Sequence, residues 1–189
     1  MSNIVESVKE ILLKYTKESF ERDGYEFWNN HIKYVFKHSH DMAIKRGADT
    51  EVCELAALLH DIAMAADFGP RDDHANYGAQ MAHSILTELN YPKDKMELVE
   101  KCVLHHRHSW DKPRETVEEQ ILADADVMAH FDSIPSLFSL AYNKIGLPME
   151  EGRDFVKRKL LGDYDKLSPE GKKELQERFD TIMSVLFTE

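Results

Sequence analysis

His60 and Asp61 stand side by side at the end of an otherwise apolar run, LAALLHDIA. An imidazole and a carboxylate are costly to bury without a partner. A divalent cation is a natural one, because imidazole nitrogen and carboxylate oxygen are both good ligands. The dipeptide alone fits equally a helix-end histidine bonded to a neighbour. Its surroundings add weight to the metal reading. His31 lies on an earlier amphipathic stretch, His74 opens HANYGAQMAHSIL, His105 and His106 follow Val103 and Leu104, and Asp126 is an acid among apolar neighbours in ILADADVMAH. These positions fall at helix ends or on apolar faces, so several helices can converge on one point, as in the metal sites of helical bundles. The chain has ten histidines, nine of them between His31 and His108, so the enrichment is local.

The elements that must position these residues are helical throughout. Glycine and proline are sparse, and strand-like alternation is nearly absent. Ile4, Val8, Ile11, Leu12 and Tyr15 form one apolar stripe. A second helix is predicted from about His31 to Arg46, with Gly47 as its C-terminal cap. Thr50 is predicted to cap a third, whose Val52, Leu55, Ala56, Leu58, Leu59 and Ile62 make it apolar nearly all round and therefore central. Residues 65–73 read as a loop, and a fourth helix spans about 74–89. Pro92 is predicted to start a fifth at its first position. After a second loop at 109–115, a sixth helix carries Val117 to Met128 and continues with a break near Pro135. A further helix follows Pro148, and Ser168 with Pro169 opens the last.

Composition narrows the function classes. The 189 residues suggest one domain, and 42% hydrophobic content suffices for a core. Asp and Glu number 35 against 24 Lys and Arg, a net charge of −11 that repels nucleic-acid backbones. Polymeric DNA or RNA is therefore not the expected partner, while a short nucleotide can bind where a metal supplies positive charge. No run of about 18 apolar residues is present, so no membrane partner is expected. The N-terminus mixes acids into its apolar pattern, unlike a signal peptide, and the expected location is the cytoplasm. Cys53 and Cys102 read as buried thiols.

Together, HIKYVFKHSHDMAIKRGAD, ELAALLHDIA and LADADVMAHFD, in this order and with the histidines between them, resemble the HD metal-dependent phosphohydrolase superfamily over about residues 31–132. The resemblance implies an all-α, HD-domain-like helical bundle with a metal site between helices. Residues 1–189 then form a single helical domain with a metal-binding core at about 28–132 and a helical extension at about 148–189. Carried over residue by residue, His31, His60, Asp61 and Asp126 match the four shared ligands. His74 and His105 match histidines that hold a second metal in some members, and His106 matches a further ligand of the cyclic-dinucleotide branch. Asp61 then bridges the two ions. Asp124 faces another way from Asp126 on a helix and is a candidate for the surrounding shell.

The implied activity is hydrolysis of a phosphomonoester or phosphoanhydride in a small nucleotide or related metabolite, through metal-activated water. Mixed His and carboxylate ligation suits one or two ions of Fe, Mn, Ni, Co or Zn rather than Mg. Arg71 is the first candidate to hold phosphate, followed by Arg107, Lys112 and Arg114. Asp67, Asp72 and Asp73 are candidates for proton transfer. His108 is a candidate for the surrounding shell, and Trp110 for stacking on a base. His38, His40, His83 and His130 read as packing or surface residues. Met64 stands three residues after Asp61, where some branches place Glu or Lys, and the Gly-Tyr-Pro of the cyclic-dinucleotide branch is absent. Two other readings stay open: a metal- or ligand-binding regulatory domain without turnover, and a di-iron oxygenase on the same scaffold. The amphipathic tail suits packing on the domain itself or on the second subunit of a homodimer.

Overall fold

The computed structural model of the protein describes residues 3–107 and 113–187. The expectations for His108, Trp110 and Lys112 fall outside them. No strand occurs among the described residues. In chain order the elements are α1 (Asn3–Asp23), a π-helical turn (Trp28–Ile32), α2 (Lys33–Arg46), α3 (Thr50–Leu59), the short α4 (Ile62–Ala65), a 3-10 turn (Arg71–Asp73), α5 (His74–Glu88) and α6 (Lys93–His105). They continue with α7 (Val117–Asp132), α8 (Ile134–Ser139), a second π-helical turn (Leu140–Lys144), α9 (Met149–Lys166) and α10 (Pro169–Leu186). The chain parts into two compact units, Met1–Asp126 and Val127–Glu189.

In the first unit α3 is central, as its all-round apolar pattern predicts. Val52, Leu55, Ala56, Leu58 and Leu59 have no exposed surface, and α3 packs on α1, α2, α5 and α6. Each such leucine contributes about 1.5–3 kcal/mol by leaving water. The cap of α3 is Asp49, not Thr50. The Asp49 carboxylate accepts from the Val52 amide at 3.2 Å, and Thr50 is the first helical residue. Gly47 closes α2 with φ 69°, the left-handed conformation a C-terminal cap requires. The start of α7 carries a reciprocal cap: the Glu119 amide donates to Thr116 Oγ1 at 3.2 Å, and Glu119 Oε2 accepts from the Thr116 amide at 2.8 Å.

Two contacts bring the ligand-bearing helices together. Arg46, in the last turn of α2, donates to the fully buried Asp124 carboxylate of α7 at 3.0 Å, and Gln120 donates to its other oxygen at 3.0 Å. At Gly78 of α5, a Cβ would lie 3.2 Å from Val103 Cγ1 and 3.3 Å from the His60 carbonyl oxygen. The missing side chain lets α5 close on the end of α3, one turn after His74.

In the second unit Pro135 sits in the first turn of α8, after a break at Ser133. Ser168 caps α10 by accepting from the Gly171 amide at 3.0 Å. The rings of Tyr164 and Phe179 stack at 4.0 Å and join α9 to α10. Asp163, 1% exposed, is met by His130 at 2.9 Å, by Lys166 at 3.0 Å and by Lys159.

Candidate metal centre

Five segments supply the site. His31 lies in the π-helical turn that leads into α2. His60 is the C-terminal cap of α3, and Asp61, with φ −109° and ψ 14°, is the corner between α3 and α4. That sparsely populated backbone region is common in active-site residues. His74 opens α5, His106 follows the last residue of α6, and Asp126 lies within α7.

These six side chains form two groups, each with ligand atoms within 4.8 Å of one another: His31, His60 and Asp126, and Asp61, His74 and His106. In the first, His31 Nε2 is 3.1 Å from His60 Nε2 and 3.1 Å from Asp126 Oδ1. In the second, His74 Nε2 is 3.2 Å from His106 Nε2 and 3.3 Å from Asp61 Oδ1. Asp61 faces both. Its Oδ2 lies 3.5 Å from His60 Nε2 and 3.7 Å from His31 Nε2, while its Oδ1 lies 4.0 Å from His106 Nε2. The His60 and His106 rings meet edge to face at 5.3 Å.

The donor set fits divalent ions. His60, His74 and His106 each direct Nδ1 at a main-chain carbonyl three residues back, Ala57 at 2.8 Å, Arg71 at 2.8 Å and Val103 at 2.6 Å. A carbonyl only accepts, so each Nδ1 carries the proton, and the free base of each ring then presents its Nε2 lone pair, the tautomer a metal needs. Donors about 2.1 Å from one ion lie roughly 3.0–3.4 Å apart at cis-octahedral or tetrahedral angles. The shortest contacts in both groups match that spacing. Burial pushes the His106 imidazole down to about 4, and His60 pushes the same way, so it is neutral at neutral pH. Burial alone would raise Asp61; the facing imidazoles of His60, His31, His74 and His106 outweigh it and hold the carboxyl below its ordinary value.

His105, expected as a ligand, is in neither group. Consecutive helical residues point about 100° apart, so His105 turns away from the side His106 faces and meets Glu119 Oε1 at 2.5 Å. His40, His83 and His130 pair with Glu54, Glu100 and Asp163, each within 3 Å. Asp73 accepts from the Asn76 side chain, and Asp67 is a largely exposed acid near Arg22.

Arg71 lies in the loop that leaves Asp61 and returns at His74, is exposed, and makes no ion pair among the described residues. Arg107 donates to the Asp72 carbonyl. Arg114 is half-buried against the His106 carbonyl, and its Nε has no partner among the described residues. Tyr25 was not expected at the site. Burial, then the Asp61 charge, raise its phenol to about 12, against the pull of Arg71. It sits between helices in GYEF, where no periodicity marks it.

Among curated proteins no relative of this chain is found. A solved structure described as a predicted HD superfamily hydrolase from an uncultured Thermotogales bacterium superposes with a TM-score of 0.56 at 22% identity, covering 91% of both chains. The likeness is one of fold. The HD domain family model matches residues 29–130, which contain all six clustered side chains. With more than half its length matched, the chain belongs to the HD domain family, whose members bind divalent metals, and its His and Asp groups are able to hold such an ion.

Proposed function

We infer that this protein is a metal-dependent phosphohydrolase that cleaves a phosphomonoester or phosphoanhydride in a small nucleotide or related phosphorylated metabolite. The observation that carries the reading is the placement of Asp61, one oxygen toward His31 and His60 and the other toward His74 and His106. So placed, Asp61 would serve both ligand groups if each held an ion. The hydrolase description of the Thermotogales protein supports the same reading.

When bound, divalent ions supply positive charge that acidifies water and offsets the charge developing on a phosphoryl group. The chain's own residues do the rest. His60, His74 and His106 are held in the ligating tautomer by main-chain carbonyls. Arg71 offers an exposed planar guanidinium, without an ion pair among the described residues, that can take two phosphate oxygens at once. Arg114 offers a second, partly desolvated guanidinium beside His106.

A screen of nucleotides and sugar phosphates with added Mn, Co or Ni tests the reading. Metal-dependent phosphate or pyrophosphate release is expected, with Arg71→Ala raising KM at least about tenfold and Arg71→Lys less, since a lost charged hydrogen bond costs about 1.5–3 kcal/mol. Bound metal with no release from any phosphoester would sink it. A redox-active iron pair under that outcome would favour oxygenase chemistry.

A further inference from the structure

We propose that His105 and Glu119 are positioning residues: their buried contact fixes His106, and so sets how tightly the second metal ion is held. This rests on the two-ion reading of the site above.

His106 is the residue beyond the last turn of α6, and a helix end has few main-chain bonds to hold it. The residue before it is anchored. His105 Nδ1 meets Glu119 Oε1 at 2.5 Å, with 16% of the His105 side chain exposed and none of Glu119. Glu119 is itself immobile, because its other oxygen accepts the main-chain amides of Glu115 and Thr116, both at 2.8 Å. A carboxylate tied on both oxygens is a fixed post rather than a swinging side chain.

The post stands on the helix that carries Asp126. Glu119 and Asp126 are seven residues apart, two turns along one side of α7. Asp126 belongs to the first ligand group and His106 to the second. The His105–Glu119 contact therefore joins the two groups by a route that does not pass through Asp61. Its removal leaves all six ligands in place but frees the end of α6. The first group draws on the π-helical turn, α3 and α7, and loses nothing.

Calorimetric titration of the metal-free full-length chain with Mn²⁺ tests this. The unmodified protein is expected to bind two ions. His105→Ala is expected to weaken the second roughly 10–100-fold, the usual effect of losing a group that orients a metal ligand, and to leave the first within about twofold. His105→Asn places an amide nitrogen where Nδ1 stood and is expected to restore the second affinity. A merely structural role does not split the two sites: parallel weakening of both ions, with a fall in the melting temperature of the metal-free protein, overturns the proposal. So does unchanged second-ion affinity in His105→Ala, or a single ion in the unmodified chain. Phosphate release with that single ion would leave the hydrolase reading standing. Selective loss of the second ion with no phosphate release from any substrate would overturn the hydrolase reading alone.

Discussion

His74 and His106 aim their Nε2 atoms at each other across 3.2 Å, while each commits Nδ1 to a main-chain carbonyl. With Nδ1 as the donor on both rings, the two Nε2 atoms point at each other, and a cation between them is a partner for both. Bound Mn²⁺, Co²⁺ or Ni²⁺ is therefore expected to stabilise the fold. The gain is about 2.7 kcal/mol when free metal exceeds its Kd a hundredfold. Differential scanning calorimetry with and without chelator checks this, and a melting temperature indifferent to all three metals contradicts it.

Asp61 and Asp126 differ in reach, since Asp61 faces four histidines and Asp126 belongs to one group. Asp61→Ala is expected to lose both ions, and Asp126→Ala to weaken the first more than the second. Activity in each falls by more than about 100-fold, beyond what the loss of an outer-shell partner does. Metal content per chain by mass spectrometry separates the two variants, and equal stoichiometry in both would contradict the shared-ligand geometry.

Asp124, two residues from Asp126, is in neither ligand group and is held by Arg46 and Gln120. Asp124→Ala removes the buried ion pair with Arg46 and is expected to lower stability by up to about 3–5 kcal/mol, the range for breaking a buried pair. Metal stoichiometry is expected to be unchanged in the fraction that remains folded. Urea unfolding together with metal analysis reads both quantities.

Asp163 gives the second unit an acid limit. Burial alone would raise its carboxyl, but the His130 hydrogen bond and the charges of His130 and Lys159 outweigh this and hold it far below the ordinary value. A depressed folded-state pKa contributes stability that is complete above the unfolded value of about 3.9 and is lost as pH falls below it toward the folded value. Asp163→Asn is expected to destabilise at neutral pH and to flatten the loss of stability below about pH 4. Unfolding curves from pH 7 to pH 2 check the sign; parallel curves for the two proteins would refute it.

How much of this was legible follows from the physics of each signal. Helix periodicity marked α3 as central; polar residues at helix ends or on apolar faces marked His31, His60, Asp61, His74, His105, His106 and Asp126 as candidates, because such groups need a partner, and the family resemblance gave them their roles. His105 and His106 look equivalent in a sequence, and only the rotation of the helix, which turns His105 toward Glu119, separates them. Glu119 could have been found: Thr116-Val-Glu-Glu119 before an apolar run is a capping signature. The contact to His105 could not, since it joins residues across a loop. Asp49 displaced Thr50 as the cap of α3 for an ordinary reason: both types cap well, and the one residue of difference lies below what propensity resolves. Tyr25 left no mark because it lies between helices, where no periodicity singles it out.

The aim of His31 rests on a count. In the turn from Trp28 to Ile32 the Lys33 amide reaches back five residues to the Trp28 carbonyl, one more than in an α-helix. That extra residue behaves as an insertion that the helix absorbed. Deleting a single codon there would restore ordinary helical pitch and swing whatever precedes it by about 100° relative to α2. Every candidate ligand would still be written in the gene. A lineage that lost its ion in this way would keep the family signature intact, and a comparison of aligned residues would pass over the change as a one-position gap.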